Sequence, residues 1–386
     1  MRRDDLGARE DWEAKAEAAG FTFHHDGGSL YWDESSAYAF TLEQIERDLE
    51  GPAEELHGMC REAVAEIVGS DAAMARMGIP EAHRDLVAES WRAEEPELYG
   101  RMDFSYGGEG PAKLLEYNAD TPTTLYETSG FQWDWLEDMI AAGRLPQGTD
   151  QFNGLHEALA ARLKAMFEPN TDIHFAAFEE AAEDYATVES LAWAAREAGM
   201  GAHFTDLRKI GVTEAGQFAD AEDRVIGTLF KLYPWEDMLR DDFADAIAGA
   251  GVRMIEPAWK ALVSNKAILP RLWEMYPGHP NLLPAVFAGE DADALGPDVV
   301  EKPIFSREGA GVRIRAGGES ETSSDTRYDT HPRILQRFAP LPKFGDEHVM
   351  CGIWMVGAEA HGLGLRADRS RITQDTSRFR PHYIEA

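Results

Sequence analysis

One stretch of the sequence, residues 101–118, carries two short runs of alternating polar and apolar residues around a Gly-Gly-Glu-Gly-Pro turn. This pattern predicts a β-hairpin, because strand side chains alternate between two faces and Gly–Pro segments favour turns. If the register is centred on the turn, Asp103 lies opposite Glu116 and Arg101 lies opposite Asn118. The chain must then fold around a sheet that presents two carboxylates, an amide and a guanidinium on one face.

The oxygen atoms on that sheet face suit Mg²⁺, a hard cation that binds carboxylate and amide oxygens and accepts phosphate oxygens as further ligands. The spacing alone favours a plainer interpretation, a solvent-exposed face with ordinary cross-strand charge pairs. Features elsewhere in the chain have to distinguish a metal-binding face from a salt-bridged surface.

The chain of 386 residues has a formal charge of −33. Such acidity repels phosphate backbones and anionic lipids, which argues against nucleic-acid and membrane partners. A cationic partner or a salt-rich habitat would account for it, and any phosphate site must gather its own cations. No run of about 18 apolar residues and no apolar signal segment occurs, so a cytoplasmic location is expected. Cys60 and Cys351 lie far apart and suggest neither a metal site nor a disulfide framework.

Residues 153–260 alternate between strand-like and helix-like patterns. Four apolar runs are predicted strands: 173–178, 202–207, 224–232 and 252–257. Helices are expected between them, including 187–198 and 235–250. This alternation predicts an α/β unit with a largely parallel sheet. The unit has no Gly-x-Gly-x-x-Gly and no P-loop, so nucleotide binding by either of those motifs is unsupported.

Residues 261–386 have the pattern of an antiparallel sheet. Predicted strands occupy 299–305, 312–315, 333–338, 348–356 and 360–366. The Gly-rich turn 306–311 can fold over phosphate groups, since glycine leaves backbone N–H groups unobstructed, although an ordinary hairpin turn has the same pattern. The polar segment 316–332 is either a mobile lid or a surface loop. A helix near residue 268 is expected to be interrupted by Pro270.

Cations that could pair with phosphate lie in the same C-terminal segment. Lys302 directly precedes the Gly-rich turn, and Lys266, Arg307 and Arg366 are further candidates. Each one alone is most simply a solvated surface residue. Together with the acids of the hairpin, they predict a phosphoryl-transfer site that needs neither a P-loop nor a nucleophilic side chain.

A specific set of motifs occurs in a fixed order along the chain. The segments are 101–104 with 115–122, 264–270, 301–310, 364–368 and 372–379. They closely resemble the synthetase domain of the glutathionylspermidine synthase family, and particularly its stand-alone bacterial acid–amine ligases. The resemblance covers nearly the whole chain.

The resemblance implies an ATP-grasp-type fold of mixed α+β and α/β class, with an antiparallel ATP-binding sheet and an inserted parallel α/β subdomain. The chain would comprise an N-terminal helical region with the hairpin (1–150), the α/β subdomain (151–260) and the nucleotide-binding region (261–386), all within one synthetase-like unit. The implied activity is ATP- and Mg²⁺-dependent ligation of a carboxylate to an amine through an acyl phosphate. An ATP-grasp kinase, a peptide-tagging enzyme and a non-catalytic nucleotide-binding scaffold are the alternatives.

Carried over residue by residue, the resemblance implies a metal site, two catalytic arginines and an ATP site. Asp103, Glu116 and Asn118 match the Mg²⁺ ligands, with two ions expected and Glu116 bridging them. Arg101 matches an arginine near the γ-phosphate, and Arg366 matches one near the reacting carboxylate. The implied ATP-binding residues are Arg101, Met102, Asp103, Lys266, Lys302, Gly309, Gln336, Arg371, Ile372 and Thr373.

The substrates implied by the resemblance are a small-molecule or peptide carboxylate and an amine, with polyamines as one class of amine. The acid-rich segment 178–184 lies roughly where the family handles its substrates, but its residues do not align one by one. Glutathione and spermidine are therefore not carried over to this chain.

Overall fold

Three sheets of the computed structural model position the site, and the structure describes residues 1–26 and 28–386. The six-stranded antiparallel sheet contains Tyr99–Ser105, Lys113–Asn118, Lys343–Phe344, Glu347–Val356, Glu359–Asp368 and Arg378–Arg380. The five-stranded antiparallel sheet contains Ala285–Phe287, Val299–Pro303, Arg313–Ala316, Glu319–Thr322 and Arg333–Arg337. The parallel sheet contains Asp172–Ala177, Gly201–Asp206, Thr228–Lys231 and Arg253–Ile255. Shorter strands are Arg2–Asp4, His25–Asp26, Ser29–Leu30, Ala37–Phe40, Gly211–Val212, Phe218–Ala219 and His382–Ile384.

Helices occupy much of the first hundred residues and connect the strands of the parallel sheet. The α-helices are Trp12–Ala18, Leu42–Ile45, Gly51–Ile67, Asp71–Arg76, Arg84–Arg92, Gln132–Ala141, Leu155–Met166, Ala182–Glu197, Trp235–Met238, Lys260–Val263 and Ile268–Met275. The 3₁₀ helices are Glu81–His83, Leu207–Lys209, Ala244–Gly249 and Asp293–Leu295, and π-helical turns cover Glu46–Glu50 and Glu127–Phe131. Across the described residues, none of the helices has the length and apolar character needed to cross a membrane.

At the site residues the hairpin pairing agrees with the sequence prediction, whereas between Asp103 and the turn it is shifted by one residue. Asp103 pairs with Glu116, and Arg101 pairs with Asn118. The first hairpin strand also pairs, on its other side, with Glu347–Val356. The predicted hairpin and the C-terminal strands therefore form one sheet, which brings residues far apart in sequence to the same face.

The main core packs helix Gly51–Ile67 against the six-stranded sheet. Leu56, Cys60 and Val64 recur at helical spacing and are buried together with Met102 of the hairpin. Fully burying an aliphatic side chain of this size contributes about 1.5–3 kcal/mol, so this stripe holds the helix on the sheet. Cys60 is therefore a core residue, and burial raises the pKa of its thiol to about 12.

The helix predicted over 235–250 is wrong in extent. Only Trp235–Met238 is α-helical, and the 3₁₀ helix Ala244–Gly249 follows after a turn. The side chain of Asp241 accepts the N–H of Phe243 at 3.1 Å. Such a local side-chain bond competes with the helical backbone pattern, which explains the break.

Pro270 does not interrupt a helix, contrary to the prediction. Helix Ile268–Met275 begins two residues before the proline. Pro270 therefore lies in the first turn, where backbone N–H groups have no intrahelical acceptor and proline is tolerated. The polar segment after the Gly-rich turn also contains unpredicted structure, since Glu319–Thr322 pairs with Arg313–Ala316.

Candidate active site

The predicted site residues, with the exception of Met102, line two adjoining cavities. The larger cavity has a volume of about 370 Å³ and the smaller one about 110 Å³. Asp103, Glu116, Lys266 and Gly309 belong to the walls of both. Met102 points to the opposite face of its strand and is buried in the main core, so its side chain takes no part in either cavity.

Arg101 and Asp103 form a buried, bidentate ion pair on the floor of the larger cavity. Nε of Arg101 donates to Oδ1 of Asp103 at 2.7 Å, and Nη2 donates to Oδ2 at 3.0 Å. Nη1 donates to the carbonyl oxygen of Thr123 at 2.9 Å. Gly352 on the neighbouring strand leaves room for the arginine, since a Cβ there would lie 2.8 Å from Cδ of Arg101. Burial raises the pKa of Asp103, and the guanidinium offsets only part of this effect.

Glu116 lies between two lysines. Its Oε2 is 2.9 Å from Nζ of Lys266. Burial opposes ionisation of Glu116, but Lys266 and Lys302 outweigh it and lower its pKa to about 2. Lys302 donates to Oε1 of Gln336 and to the carbonyl oxygen of Leu115, both at 2.9 Å. Burial lowers the pKa of Lys302 to about 8, and it remains largely protonated at neutral pH because Glu116 opposes the shift.

Each carboxylate on the predicted metal face is thus paired with a cation of the protein. Throughout the described part of the chain, no group of three or more His, Cys, Asp and Glu side chains forms a ready-made metal site. The Oδ1 of Asn118 accepts only long hydrogen bonds, from the N–H of Thr121 at 3.3 Å and the hydroxyl of Ser264 at 3.4 Å. Such pairs can be exchanged, because phosphate oxygens bind the cations and a divalent metal binds the carboxylates.

The smaller cavity, called the slot below, is lined by both apolar and polar side chains. Its apolar lining includes Val300, Val312, Ile314, Leu341 and Ile372. Gln336 lies in the lining with its Oε1 bound to Lys302 and its Nε2 donating to the carbonyl oxygen of Leu114 at 3.3 Å. Arg371 is held at the slot by Glu321, with Nε 2.7 Å from Oε2. A slot lined by apolar side chains and an amide suits a planar heteroaromatic group.

Gly309 allows the Gly-rich turn to pack closely on the segment that contains Ile372 and Thr373. Its φ is +69°, a value that residues with a Cβ rarely adopt. A Cβ at this position would lie 2.5 Å from both Cγ2 of Ile372 and the carbonyl oxygen of Thr373. Only glycine allows this close contact. The turn that contains Gly309 lies where the two cavities meet.

Arg366 enters the larger cavity with its guanidinium fixed by neutral groups. It donates to the carbonyl oxygens of Gln374 at 3.1 Å, Asp375 at 2.7 Å and Ser377 at 2.7 Å. The guanidinium also lies over the ring of Tyr31, 5.2 Å from its centroid. Carbonyl oxygens and an aromatic face orient the charge without neutralising it, so Arg366 can attract an anion in the cavity.

Sequence reasoning missed two residues behind Arg366, namely Tyr31 and Glu127. The hydroxyl of Tyr31 donates to the buried carboxyl group of Glu127. Burial and the nearby charge of Glu183 raise the pKa of Glu127 to about 7. Glu127 begins a π-helical turn, Glu127–Phe131, and such turns have no pattern that a single sequence reveals.

Replacing Glu127 by glutamine should change how stability depends on pH. The folded-state pKa of about 7 lies above the ordinary 4.5, so the unfolded chain releases this proton first as pH rises. The free energy of unfolding therefore falls between about pH 4.5 and pH 7, on the order of 3 kcal/mol from this group. Urea unfolding across this range should show a smaller fall for Glu127→Gln than for the wild type. The exposed Glu179→Gln is the control, and parallel profiles for all three proteins would refute the expectation.

Arg307 is a further buried cation in the larger cavity that the family resemblance does not assign. It donates to Oγ1 of Thr121 at 2.7 Å and to Oε1 of Glu236 at 2.9 Å. Among the described residues, its Nε and the hydroxyl of the adjacent Ser306 are buried without a hydrogen-bond partner. Buried polar atoms are usually satisfied, so both groups retain unused hydrogen-bonding capacity.

The larger cavity also carries acidic side chains, two of which pair with arginines of the same lining, Glu236 with Arg307 and Glu308 with Arg327. Its lining includes Glu183, Asp184, Glu236, Glu308 and Asp375. Burial and the neighbouring charge of Glu183 raise the pKa of Asp184 to about 6. The cavity thus offers cations to an anionic group and carboxylates to a cationic group.

Comparison with known proteins identifies the family. The family model described as "Glutathionylspermidine synthase preATP-grasp" matches residues 3–385. The chain belongs to this family. The "Putative acid--amine ligase" of Haemophilus influenzae is 39% identical over 382 residues, covering 95% of this chain and 94% of that protein. The family assignment confirms the predicted resemblance and makes the chain an enzyme of the ligase class.

Longer members of the glutathionylspermidine synthase family match as well. Trypanothione synthetase of Crithidia fasciculata is 30% identical, covering 84% of this chain and 53% of that protein. The bifunctional glutathionylspermidine synthetase/amidase of Escherichia coli is 26% identical, covering 89% and 58%. This chain therefore spans little more than half the length of these two relatives.

A solved structure supports the fold class. A glutathione synthetase-like effector from Globodera pallida superposes with a TM-score of 0.54 at 11% identity, covering 92% of this chain and 90% of the other. The likeness shows the fold alone. It agrees with the predicted ATP-grasp-type architecture of antiparallel sheets combined with a parallel α/β part.

Proposed function

We propose that this chain is an ATP- and Mg²⁺-dependent acid–amine ligase that activates a carboxylate as an acyl phosphate and transfers the acyl group to an amine. The proposal rests on two adjoining cavities. The larger one is lined by paired acids and cations, and the smaller one has the apolar side chains of the slot. The segments 1–150, 151–260 and 261–386 would form one synthetase unit, because each contributes lining residues to the larger cavity.

The residues of the larger cavity fit Mg²⁺ and a triphosphate. Asp103, Glu116 and Asn118 offer the oxygen ligands that Mg²⁺ prefers, and we propose two ions with Glu116 as a ligand of both. Ser306 and Arg307 offer buried donors that lack partners in the described structure. Bound Mg²⁺ would supply neutralisation of the charge on the transferring phosphoryl group.

The chain's own cations would bind the phosphates of ATP. Lys266 and Lys302 would exchange Glu116 and backbone partners for phosphate oxygens, and Arg101 would steady the γ-phosphate. Gly309 would bring backbone N–H groups close to the phosphates, since its turn packs without a side chain. These groups are fixed in the fold, which reduces the reorganisation needed in the transition state.

The apolar slot would bind the adenine and ribose. Gln336 would contact the edge of the base, while Arg371, Ile372 and Thr373 would form the segment on which the base and ribose rest. Met102 remains part of this proposal only through its backbone, because its side chain lies in the core.

Arg366 would hold the reacting carboxylate beside the γ-phosphate. Its guanidinium is oriented by neutral carbonyl oxygens, so its charge can attract that anion. The amine has to attack in its uncharged form, and one of the carboxylates that line the larger cavity is the proposed acceptor of its proton. The same lining suits a cationic amine, of which a polyamine is one class.

Phosphate release from ATP tests the function. Incubation with Mg²⁺, pooled carboxylates and pooled amines is expected to release phosphate only when an acid and an amine are both present. EDTA should abolish the release, and excess Mg²⁺ should restore it. A stable phosphorylated acid formed without an amine would instead identify a kinase, and no release from any pool would support a non-catalytic scaffold.

A further inference from the structure

A third cavity, with a volume of about 220 Å³, lies beside the larger cavity and is lined mainly by apolar side chains. Its apolar lining includes Ile210, Phe218, Leu229, Met238, Phe243 and Ile247. Phe178 belongs to the walls of both this cavity and the larger one. We call the third cavity the apolar cavity.

The apolar cavity lies near the carboxyl edge of the parallel sheet. Phe178 directly follows strand Asp172–Ala177, and Leu207 directly follows strand Gly201–Asp206. Open α/β sheets bind their ligands outside the carboxyl ends of the strands. This cavity therefore lies where such sheets bind ligands, and it adjoins the proposed catalytic centre.

The cations at the apolar cavity already have partners within the protein. Nζ of Lys231 lies 2.5 Å from Oδ1 of Asp120 in a fully buried pair. Nη2 of Arg208 donates to Oδ2 of Asp206 at 2.8 Å. One carboxylate, Asp241, also lines the cavity and accepts the hydroxyl of Tyr233 at 3.3 Å. The remaining surface is chiefly apolar, and burial of apolar groups is favourable there.

The junction between the two cavities favours a cation. Phe178 belongs to the walls of both cavities, and the guanidinium of Arg208, already paired with Asp206, lies 6.0 Å from the centroid of its ring. A ligand that extends past Phe178 enters the larger cavity, whose lining includes the carboxylates of Glu183 and Asp184. An ammonium group is attracted at that point, whereas a carboxylate is repelled.

We infer that the amine substrate carries an alkyl or aryl group, which binds in the apolar cavity while the ammonium group lies near Glu183 and Asp184. This inference adds a class of amine to the ligase function proposed above. It rests on that function only in calling the bound amine a substrate. Binding itself can be measured without turnover, so the two can fail separately.

Calorimetric titration with ethylamine and hexylamine tests this inference directly on the unmodified protein. Each buried methylene group strengthens binding by about fourfold, so hexylamine should bind at least about tenfold more tightly than ethylamine. Leu229→Phe fills the apolar cavity and should reduce hexylamine affinity to that of ethylamine. The same replacement at exposed Leu42 is the matched control and should leave both affinities unchanged.

Equal affinities of ethylamine and hexylamine for the unmodified protein would overturn the inference, even if Leu229→Phe does not fold. Hexanoate binding that depends on Leu229 in the same way would overturn the choice of an amine. Chain-length-dependent binding of amines without any phosphate release would uphold the amine site and refute the ligase function. Phosphate release with only short hydrophilic amines would uphold the ligase function and refute the apolar amine site.

Discussion

Replacing Glu116 by alanine is expected to reduce ATP-dependent turnover by about 100- to 1,000-fold, the usual cost of removing one preorganised charged group at a phosphoryl-transfer centre. Glu116 is the carboxylate paired with Lys266 and held ionised by two lysines. Its loss removes a proposed ligand of both Mg²⁺ ions. The replacement also leaves Lys266 and Lys302 without their counter-charge, so a lower free energy of unfolding is expected as well.

Steady-state kinetics with varied Mg²⁺, together with thermal unfolding, measure this effect. Glu109→Ala in the exposed turn of the same hairpin is the matched control and should keep full turnover. Turnover that is unchanged in a folded Glu116→Ala protein would exclude Glu116 as a metal ligand.

Replacing Gly309 by alanine is expected to raise KM for ATP at least tenfold. The new Cβ would meet Ile372 and the Thr373 carbonyl at 2.5 Å, so the turn has to move away from the phosphate site. The positive φ adds strain of about 1–3 kcal/mol, which should lower the free energy of unfolding. Nucleotide titration and urea unfolding measure the two effects separately.

Gly317→Ala separates strain from steric contact in this experiment. Gly317 also has a positive φ of +63°, but among the described residues a Cβ there meets no atom within 4 Å. The control should therefore lose similar stability and keep its affinity for ATP. Equal loss of ATP affinity in the two variants would show that the packing of Gly309 on Ile372 is irrelevant to nucleotide binding.

The hairpin illustrates what local sequence pattern determines. Alternation of side chains and the Gly–Pro turn predict the hairpin and place Asp103 opposite Glu116, although a bulge between Asp103 and Phe104 shifts the pairing nearer the turn by one residue. The alternating strand and helix pattern likewise predicts the parallel sheet correctly. In both cases the information lies within a few neighbouring residues, where strand periodicity and turn chemistry act directly.

Contacts between distant residues could not be read from such patterns. Strand geometry places Arg101 and Asp103 on one face, but their ion pair also depends on the room left by Gly352. The support of Arg366 by Tyr31 and Glu127 joins three segments whose local patterns are ordinary. Family resemblance named the site residues, whereas the charge pairing among them required the structure.

The most direct test of the proposed ligase function follows the oxygen atoms of the carboxylate. A carboxylate found in the phosphate-release screen is labelled with oxygen-18 and incubated with the protein, ATP, Mg²⁺ and the matching amine. An acyl phosphate route predicts one labelled oxygen in each released phosphate, together with ADP and an amide in equal amounts. Unlabelled phosphate, or label in AMP, would contradict it.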